Sequence, residues 1–247
     1  MNLKESKIKS NKVTLAEEQI HFYDEQGYLM VPRVFEEEVC DAIKQVAEGY
    51  AEADHSVILN IHRQASLFME LMKDPVLILI VKAVQRHKVV GLNDQYLFKN
   101  PGTPYAKQSW NPHQDNAYAR APKDTYLQLH IFLDASDKEN GGLFYYPGSH
   151  QEDILPYEYV KSWKEEFDEN GISHPGWKIL EIPSPYKKVD VVGPKGGICL
   201  QNGNLIHGSY PNFSQTRSRH QYSVAYLNEG EKFMEGSTSV RIPIPVE

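Results

Sequence analysis

Cysteine is nearly absent: Cys40 and Cys199 are the only two in 247 residues, too few for a disulfide framework. Cys40 falls in a helical pattern and Cys199 in a strand-like run, where each reads as a buried free thiol. No window approaches the ~18 consecutive apolar residues of a membrane-spanning helix. Met1 to Lys12 is polar and lysine-rich, without the apolar core of a signal peptide. Positive charge is in deficit, with 26 Lys and Arg against 33 Asp and Glu, a formal net charge of −7 and a pI near 5.8. That balance excludes the basic surface a nucleic acid requires, and no basic amphipathic stretch offers a membrane contact. Internal repeats, low-complexity tracts and the Gly-X-Ser-X-Gly elbow of a serine hydrolase are missing too. A cytoplasmic location is the default expectation, and nothing in the chain sets an oligomeric state.

What is present suits a sizeable core: 40% of residues are hydrophobic and 24% charged. The length fits one domain over 1–247, of the size that barrels with added helices reach. Residues 1–12 are expected to form a flexible tail. Thr14, with Glu17 in the capping-box position, predicts a helix through Ile20, Phe22 and Tyr23 that Gly27 stops. Tyr28–Pro32 reads as a strand, Phe35 to about Ala53 as an amphipathic helix carrying Val39, Ile43, Val46 and Tyr50, and Pro75 to His87 as another helix.

The texture then turns to β. Gln95–Phe98, Tyr126–Leu133, Gly142–Tyr146, Val189–Val192, Gly197–Gln201 and Gln221–Leu227 are short runs rich in aromatic and β-branched residues, separated by Gly, Pro, Asn and Asp clusters. Such punctuation predicts a sandwich or barrel. Residues 155–184 break the rhythm; with a helical look over Trp163–Phe167, they read as an insertion beside a pocket.

The chemistry concentrates in Trp110-Asn111-Pro112-His113-Gln114-Asp115. If residues 113–115 are extended, His113 and Asp115 point to one side, because strand side chains repeat every two residues. An imidazole and a carboxylate so placed fill two corners of an octahedral ion. A second histidine from a distant strand, His207 in Asn204-Leu205-Ile206-His207-Gly208, completes the two-His-one-carboxylate face of non-haem Fe(II) oxygenases. Twelve residues on, Arg219 opens the last β-like run. 2-Oxoglutarate chelates iron through its keto-acid end and leaves a distal carboxylate in a dry barrel, which a guanidinium pairs bidentately. Arg217, two positions earlier, is the rival for that role.

These residues lie in an ordered series: Phe22-Tyr23-Asp24-Glu25-Gln26-Gly27-Tyr28 with Val31-Pro32, Phe98-Lys99-Asn100-Pro101-Gly102, His113-Gln114-Asp115-Asn116-Ala117-Tyr118, Glu139-Asn140-Gly141-Gly142-Leu143, Pro147-Gly148-Ser149-His150, and His207-Gly208-Ser209 with Pro211-Asn212 and Arg219. The series resembles the phytanoyl-CoA dioxygenase (PhyH-like) family of Fe(II)/2-oxoglutarate oxygenases. The resemblance implies a mainly β chain with N-terminal helices and a double-stranded β-helix (jelly-roll, cupin-like) core. It implies His113, Asp115 and His207 as iron ligands, Arg219 as the 2-oxoglutarate anchor, Lys99 as a second contact to that co-substrate, and O2 as oxidant. Asn140-Gly141-Gly142 becomes a structural turn and His150 a structural hydrogen-bonding residue, while His130 either lines the pocket or completes the barrel wall. The spacing from His207 to Arg219 is slightly longer than in relatives, which keeps Arg217 in play. Family members that halogenate replace the metal carboxylate with a small residue, so Asp115 points to hydroxylation.

The expected activity is hydroxylation of an aliphatic C–H of a small organic substrate, with release of succinate and CO2. The alternatives are a catalytically inactive jelly-roll protein that binds metal or a small molecule, and a cupin-like enzyme using no 2-oxoglutarate. Tyr118 and Arg120 follow the metal motif as candidate pocket residues; Arg120 reads either as a solvated loop charge, the favoured reading, or as a partner for a substrate carboxylate.

Overall fold

The computed structural model describes residues 9–51, 56–160, 168–169, 171–174 and 176–247. Helix α1 (Glu17–Gln26) starts at Ala16, two residues beyond the expected Thr14 cap: the Ala16 N–H donates to the Gln19 side chain 2.9 Å away, so a glutamine replaces the hydroxyl. Gly27 ends the helix at φ +78°, a left-handed exit that suits glycine, and the chain enters β1 (Tyr28–Val31). Helix α2 (Glu37–Glu48) is shorter at both ends than its pattern suggested; it buries Cys40, Ile43 and Ala47, while Tyr50 lies beyond it, exposed. After β2 (Val57–Leu59) comes α3 (Ser66–Met72), a seven-residue helix too short to show periodicity in the sequence. In α4 (Pro75–Gln85), the Asp74 carboxylate accepts from the Val76 and Leu77 N–H groups, with proline in the first turn. Ser10 and Asn11, within the expected tail, are tied down: the Ser10 hydroxyl donates to Asp74, and the Asn11 N–H to the Val34 carbonyl.

The remaining elements are β3 (Val89–Lys99), β4 (Trp110–His113), α5 (Asn116–Ala119), β5 (Tyr126–Phe132), β6 (Leu143–Tyr145), β7 (Tyr157–Val160), β8 (Gly176–Ile179), β9 (Val189–Asp190), β10 (Ile198–Asn202), β11 (His207–Ser209), β12 (Arg219–Asn228) and β13 (Ile244–Pro245). Among the described residues, a seven-stranded sheet runs β1-β10-β5-β12-β3-β13 with β2 also on β3, and a four-stranded sheet runs β4-β11-β6-β9. All pairings are antiparallel. This is the double-stranded β-helix. Within 155–184, β7 and β8 pair as a two-stranded ribbon, and the helix expected over Trp163–Phe167 lies outside the described residues.

The large sheet has two unlike faces. Leu127, Leu129, Ile131, Ile198, Leu200, Tyr222, Val224 and Tyr96 share one core with Ile43, Phe68, Leu71, Leu77 and Val81 of the helices. The alternate residues, among them Lys99, Arg219, Gln221, Ser223, His130, Gln128 and Gln201, are buried in the opposite direction. A period of two thus divides a helix-packed apolar layer from a polar barrel interior.

Candidate metal centre

His113 closes β4 and lies directly across from His207, the first residue of β11. Their rings sit side by side, centroids 4.2 Å apart. This approach depends on Gly208, where an added Cβ would come within 2.5 Å of the Trp110 carbonyl oxygen and 2.4 Å of the Phe144 ring. Asp115 arrives differently from the expectation. Its backbone is helical (φ −61°, ψ −32°) at the start of α5, so the turn into that helix, not strand alternation, swings the carboxylate back over the imidazoles. Side chains hold the turn: Gln114 donates to the Asn204 carbonyl at 2.8 Å, Asn116 donates to the Asn204 side chain at 2.8 Å, and the Asn116 N–H donates to the Gly203 carbonyl at 2.8 Å. The loop carrying Asp115 is thereby fastened to the segment that leads into His207.

The result is compact. Asp115 Oδ1 lies 3.5 Å from His113 Nε2, and Oδ2 lies 3.6 Å from His207 Nε2. One ligand atom from each of the three residues falls within 4.8 Å of the other two. The outer nitrogens fix the tautomers: His113 Nδ1 is 2.7 Å from the Asn111 carbonyl and His207 Nδ1 is 3.0 Å from the Leu205 carbonyl. A carbonyl oxygen only accepts, so each Nδ1 carries hydrogen and each Nε2 turns a lone pair inward. Burial, then the neighbouring His113, pushes His207 down to about 3, so this imidazole is neutral, the form a metal ligates. Burial opposes the charge on Asp115, but His207 and His113 beside it hold the carboxyl below its usual range. Three inward donors with orienting outer bonds suit a divalent transition metal with an open face.

Gln201, which the sequence did not single out, braces this set. Its amide nitrogen is 3.1 Å from Asp115 Oδ2 and 3.2 Å from the His207 ring nitrogens, and its oxygen is 3.2 Å from His130 Nε2. His130 also lies 2.7 Å from the Ser223 hydroxyl, and burial pushes it down to about 4. It is a neutral member of the interior hydrogen-bond chain.

Farther along the same face, Lys99 and Arg219 are register partners on β3 and β12. Both reach the Gly141 carbonyl, Arg219 through Nε at 3.1 Å and Lys99 through Nζ at 3.4 Å; Lys99 also donates to the Ser209 hydroxyl and the Tyr210 carbonyl. Arg219 is 1% exposed, and its Nη1 has no hydrogen-bond partner among the described residues. Burial lowers Arg219 to about 10, leaving it charged at neutral pH; burial, then Arg219's charge, pushes Lys99 well down. A carboxylate between the two would relieve both effects and fill the open valence. Arg217 points elsewhere: it forms ion pairs with Asp137 at 2.7 Å and Glu139 at 2.7 Å on the surface.

On the other side, rings wall the metal-binding set. Trp110 and Tyr118 have centroids 6.1 and 6.2 Å from His113, and Trp177 of β8 meets Tyr118 at 5.5 Å. Arg120 is exposed and occupied, lying over the Tyr157 ring and hydrogen-bonded to its hydroxyl. His150 is a structural contact under α1, its Nε2 3.0 Å from the Asp24 carbonyl. Asn140 holds its turn by donating to the Ala135 and Ser218 carbonyls.

A jelly roll with a buried two-His-one-carboxylate cluster between its sheets belongs to the non-haem iron oxygenase class of folds. The phytanoyl-CoA dioxygenase (PhyH) family profile matches residues 23–221, and the chain belongs to that family. A "Probable alpha-ketoglutarate-dependent hypophosphite dioxygenase" of Stutzerimonas stutzeri is 31% identical over 144 residues, 55% of this chain and 49% of that protein. A "Phytanoyl-CoA dioxygenase" of Arabidopsis thaliana is 30% identical over 161 residues, 63% of this chain and 51% of that one. The chain thus spans about half the length of the curated relatives it matches. Among solved structures, the non-heme alpha-ketoglutarate-dependent carbocyclase SnoK from nogalamycin biosynthesis superposes with a TM-score of 0.71 at 20% identity, covering 92% of this chain and 91% of that one. The epimerase SnoN, in complex with Fe3+, alpha-ketoglutarate and nogalamycin RO, gives 0.69 at 17% identity, over 93% and 94%. These likenesses fix the fold. Among the described residues, no helix is long and apolar enough to cross a membrane.

Proposed function

We propose that this chain is an Fe(II)- and 2-oxoglutarate-dependent dioxygenase that hydroxylates an aliphatic C–H of a small organic substrate and releases succinate and CO2. The observation that carries the reading is the convergence of His113 Nε2, His207 Nε2 and the Asp115 carboxylate in the barrel interior, which also holds a buried, incompletely bonded Arg219. Iron with 2-oxoglutarate and O2 supplies the oxidising power for an unactivated C–H. The chain supplies position and shielding. His113, Asp115 and His207 would hold the metal, the Nδ1 hydrogens keep both imidazoles oriented, and Gln201 donates to the Asp115 oxygen that faces His207. Arg219 and Lys99 receive the distal carboxylate of 2-oxoglutarate, the lysine as second donor. Arg217, already paired with Asp137 and Glu139, has no part in this. Asp115 fills the corner that a halide would need, which favours hydroxylation.

Succinate release and oxygen uptake with Fe(II) and 2-oxoglutarate, across a panel of small organic acids, amino acids and acyl thioesters, test the reading. Substrate-stimulated succinate formation that His207→Ala abolishes is expected. Metal binding with no oxygen consumption on any substrate would leave a binding protein instead.

A further inference from the structure

Arg241 is a second buried guanidinium, near the end of β12 remote from Arg219. It lies on the segment joining β12 to β13 and is 6% exposed. That segment is fastened across the barrel: the Met234 N–H donates to the Ala119 carbonyl at the end of α5, the Asn93 side chain donates to the Ser239 hydroxyl at 2.8 Å, and the Ile242 N–H donates to the Leu92 carbonyl at 3.0 Å. It thus joins the helix that carries Asp115 to the inner face of β3. Arg241 Nη1 donates to the Met234 carbonyl at 3.2 Å, and Nε has no hydrogen-bond partner among the described residues. No acidic side chain among the described residues pairs with it. A buried guanidinium without a counter-ion is costly unless a ligand completes it.

Its segment meets α5 at Ala119, next to Tyr118 of the aromatic wall. Burial and then Asp115 push the Tyr126 hydroxyl up while the nearby Arg241 charge opposes them, and that hydroxyl accepts from Gln128 at 2.9 Å. Tyr118, whose ring abuts His113, feels the charges of both Asp115 and Arg241. Tyr126 pairs with Leu227 on β12, eight residues from Arg219, which is roughly 25 Å of strand. Asp115 lies between the two ends, bonded to Gln201, which pairs with Gln128 on the neighbouring strand.

We propose that Arg241 binds an anionic head group of the substrate, a carboxylate or phosphonate, so that the molecule lies from Arg241 across the aromatic wall with its reacting carbon at the metal face. This rests on the oxygenase reading of the centre, and it narrows the substrate class to small anions carrying an aliphatic portion. The unpartnered Nε–H belongs to a full positive charge, which an oxyanion matches and a neutral amide does not.

The test reads binding rather than turnover. Quenching of tryptophan fluorescence, with Trp110 and Trp177 in the wall, is titrated with hexanoate, hexylphosphonate and hexanamide under saturating 2-oxoglutarate and Zn(II). Wild type is expected to bind at least one anion about tenfold or more tightly than the amide. Arg241→Gln should erase that preference and Arg241→Lys should restore part of it, while the ratio of the two anions identifies the head group. Equal binding of all three probes by the wild-type protein overturns the proposal, as does binding of none of them. A preference that survives Arg241→Gln but disappears in Arg219→Gln also overturns it, by placing the anion in the co-substrate site. Failure of the oxygenase reading shows separately, as absence of succinate from the wild-type protein whatever it binds.

Discussion

The two faces of the seven-stranded sheet come from the same strands, one residue apart, and are built on opposite terms. On the helix side, Leu129, Ile131, Val224 and Tyr222 interlock with Phe68, Leu71 and Met72, and the deeply buried Asp94 is paired with His62 at 2.7 Å and the Tyr222 hydroxyl at 2.7 Å. On the barrel side, Lys99, Arg219, Gln221 and Gln201 are as deeply buried, yet Arg219 Nη1 and Gln221 Oε1 lack partners among the described residues. A buried polar group left open costs stability. On the first face the Tyr96, Tyr222 and Tyr226 hydroxyls and Asp94 all meet protein partners, while Arg219 and Gln221 keep open valences that a ligand would fill, which separates residues that stabilise the fold from candidates for binding.

The largest effects should fall on opposite quantities in the two faces. Asp115→Ala should drop succinate release to background while thermal stability stays close to wild type. Ile131→Ala should cost about 2–5 kcal/mol of stability and leave the Michaelis constant for 2-oxoglutarate unchanged. Full turnover in Asp115→Ala, assayed beside calorimetric melting, would remove the metal assignment. Next in size is the pair of arginines. Arg219→Ala should raise the Michaelis constant for 2-oxoglutarate by about 10- to 100-fold, the value of a buried charge-assisted contact. Arg217→Ala should change it less than twofold and cost below about 1 kcal/mol, since its ion pairs are solvated. Equal effects of the two substitutions would contradict the division.

How far the sequence carried this division depends on how local each cause is. His-X-Asp and a distant histidine announced the cluster, because few residue types can hold a metal, and the strands with their turns announced the jelly roll. The stated reason for Asp115 was mistaken in its geometry: the strand ends at His113, and a turn held by Asn116 and Asn204 supplies the convergence. Arg217 and Arg219 have the same strand parity, and what separates them is Asp137 and Glu139, about 80 residues upstream in the chain. Gln201 and Arg241 showed no signal because glutamine and arginine are ordinary in strands and loops, and their meaning comes from partners remote in sequence. Helix α3, with seven residues, is shorter than two full heptad-like turns of pattern can reveal.

Acid should act next, on one imidazole of each face: His130 in the barrel, and His220 against Tyr96 and Phe98 on the helix side. Burial pushes His130 and His220 each down to about 4, while in the unfolded chain imidazoles titrate near 6.5. Between those values the unfolded state binds more protons, so this part of the stability is fully present above about pH 6.5 and is lost as pH falls toward 4. The contribution is on the order of 3 kcal/mol per ring. Urea melts at pH 7.5, 5.5 and 4.5 measure it, and His220→Asn should flatten the decline. A stability that does not change over this interval would show that neither ring is held neutral.

A small and purely structural effect belongs to the helix-packed face. The Tyr222 hydroxyl donates to Asp94 Oδ2 at 2.7 Å and lies 3.0 Å from the Phe68 carbonyl, linking β12 to α3. In Tyr222→Phe the ring still fills its place, and Asp94 keeps the His62 ring contact at 2.7 Å and the His62 N–H at 3.1 Å. The loss should therefore be about 1–2 kcal/mol, one hydrogen bond to a charged acceptor with no cavity added, and neither succinate yield nor the Michaelis constant for 2-oxoglutarate should move. Tyr222 is one residue from Gln221 and Ser223, whose side chains enter the barrel. A change in co-substrate affinity in this variant would mean that the strand transmits strain from one face to the other and that the faces are energetically coupled. An unchanged affinity with a lowered melting temperature would set the boundary between folding and binding within a single residue along β12.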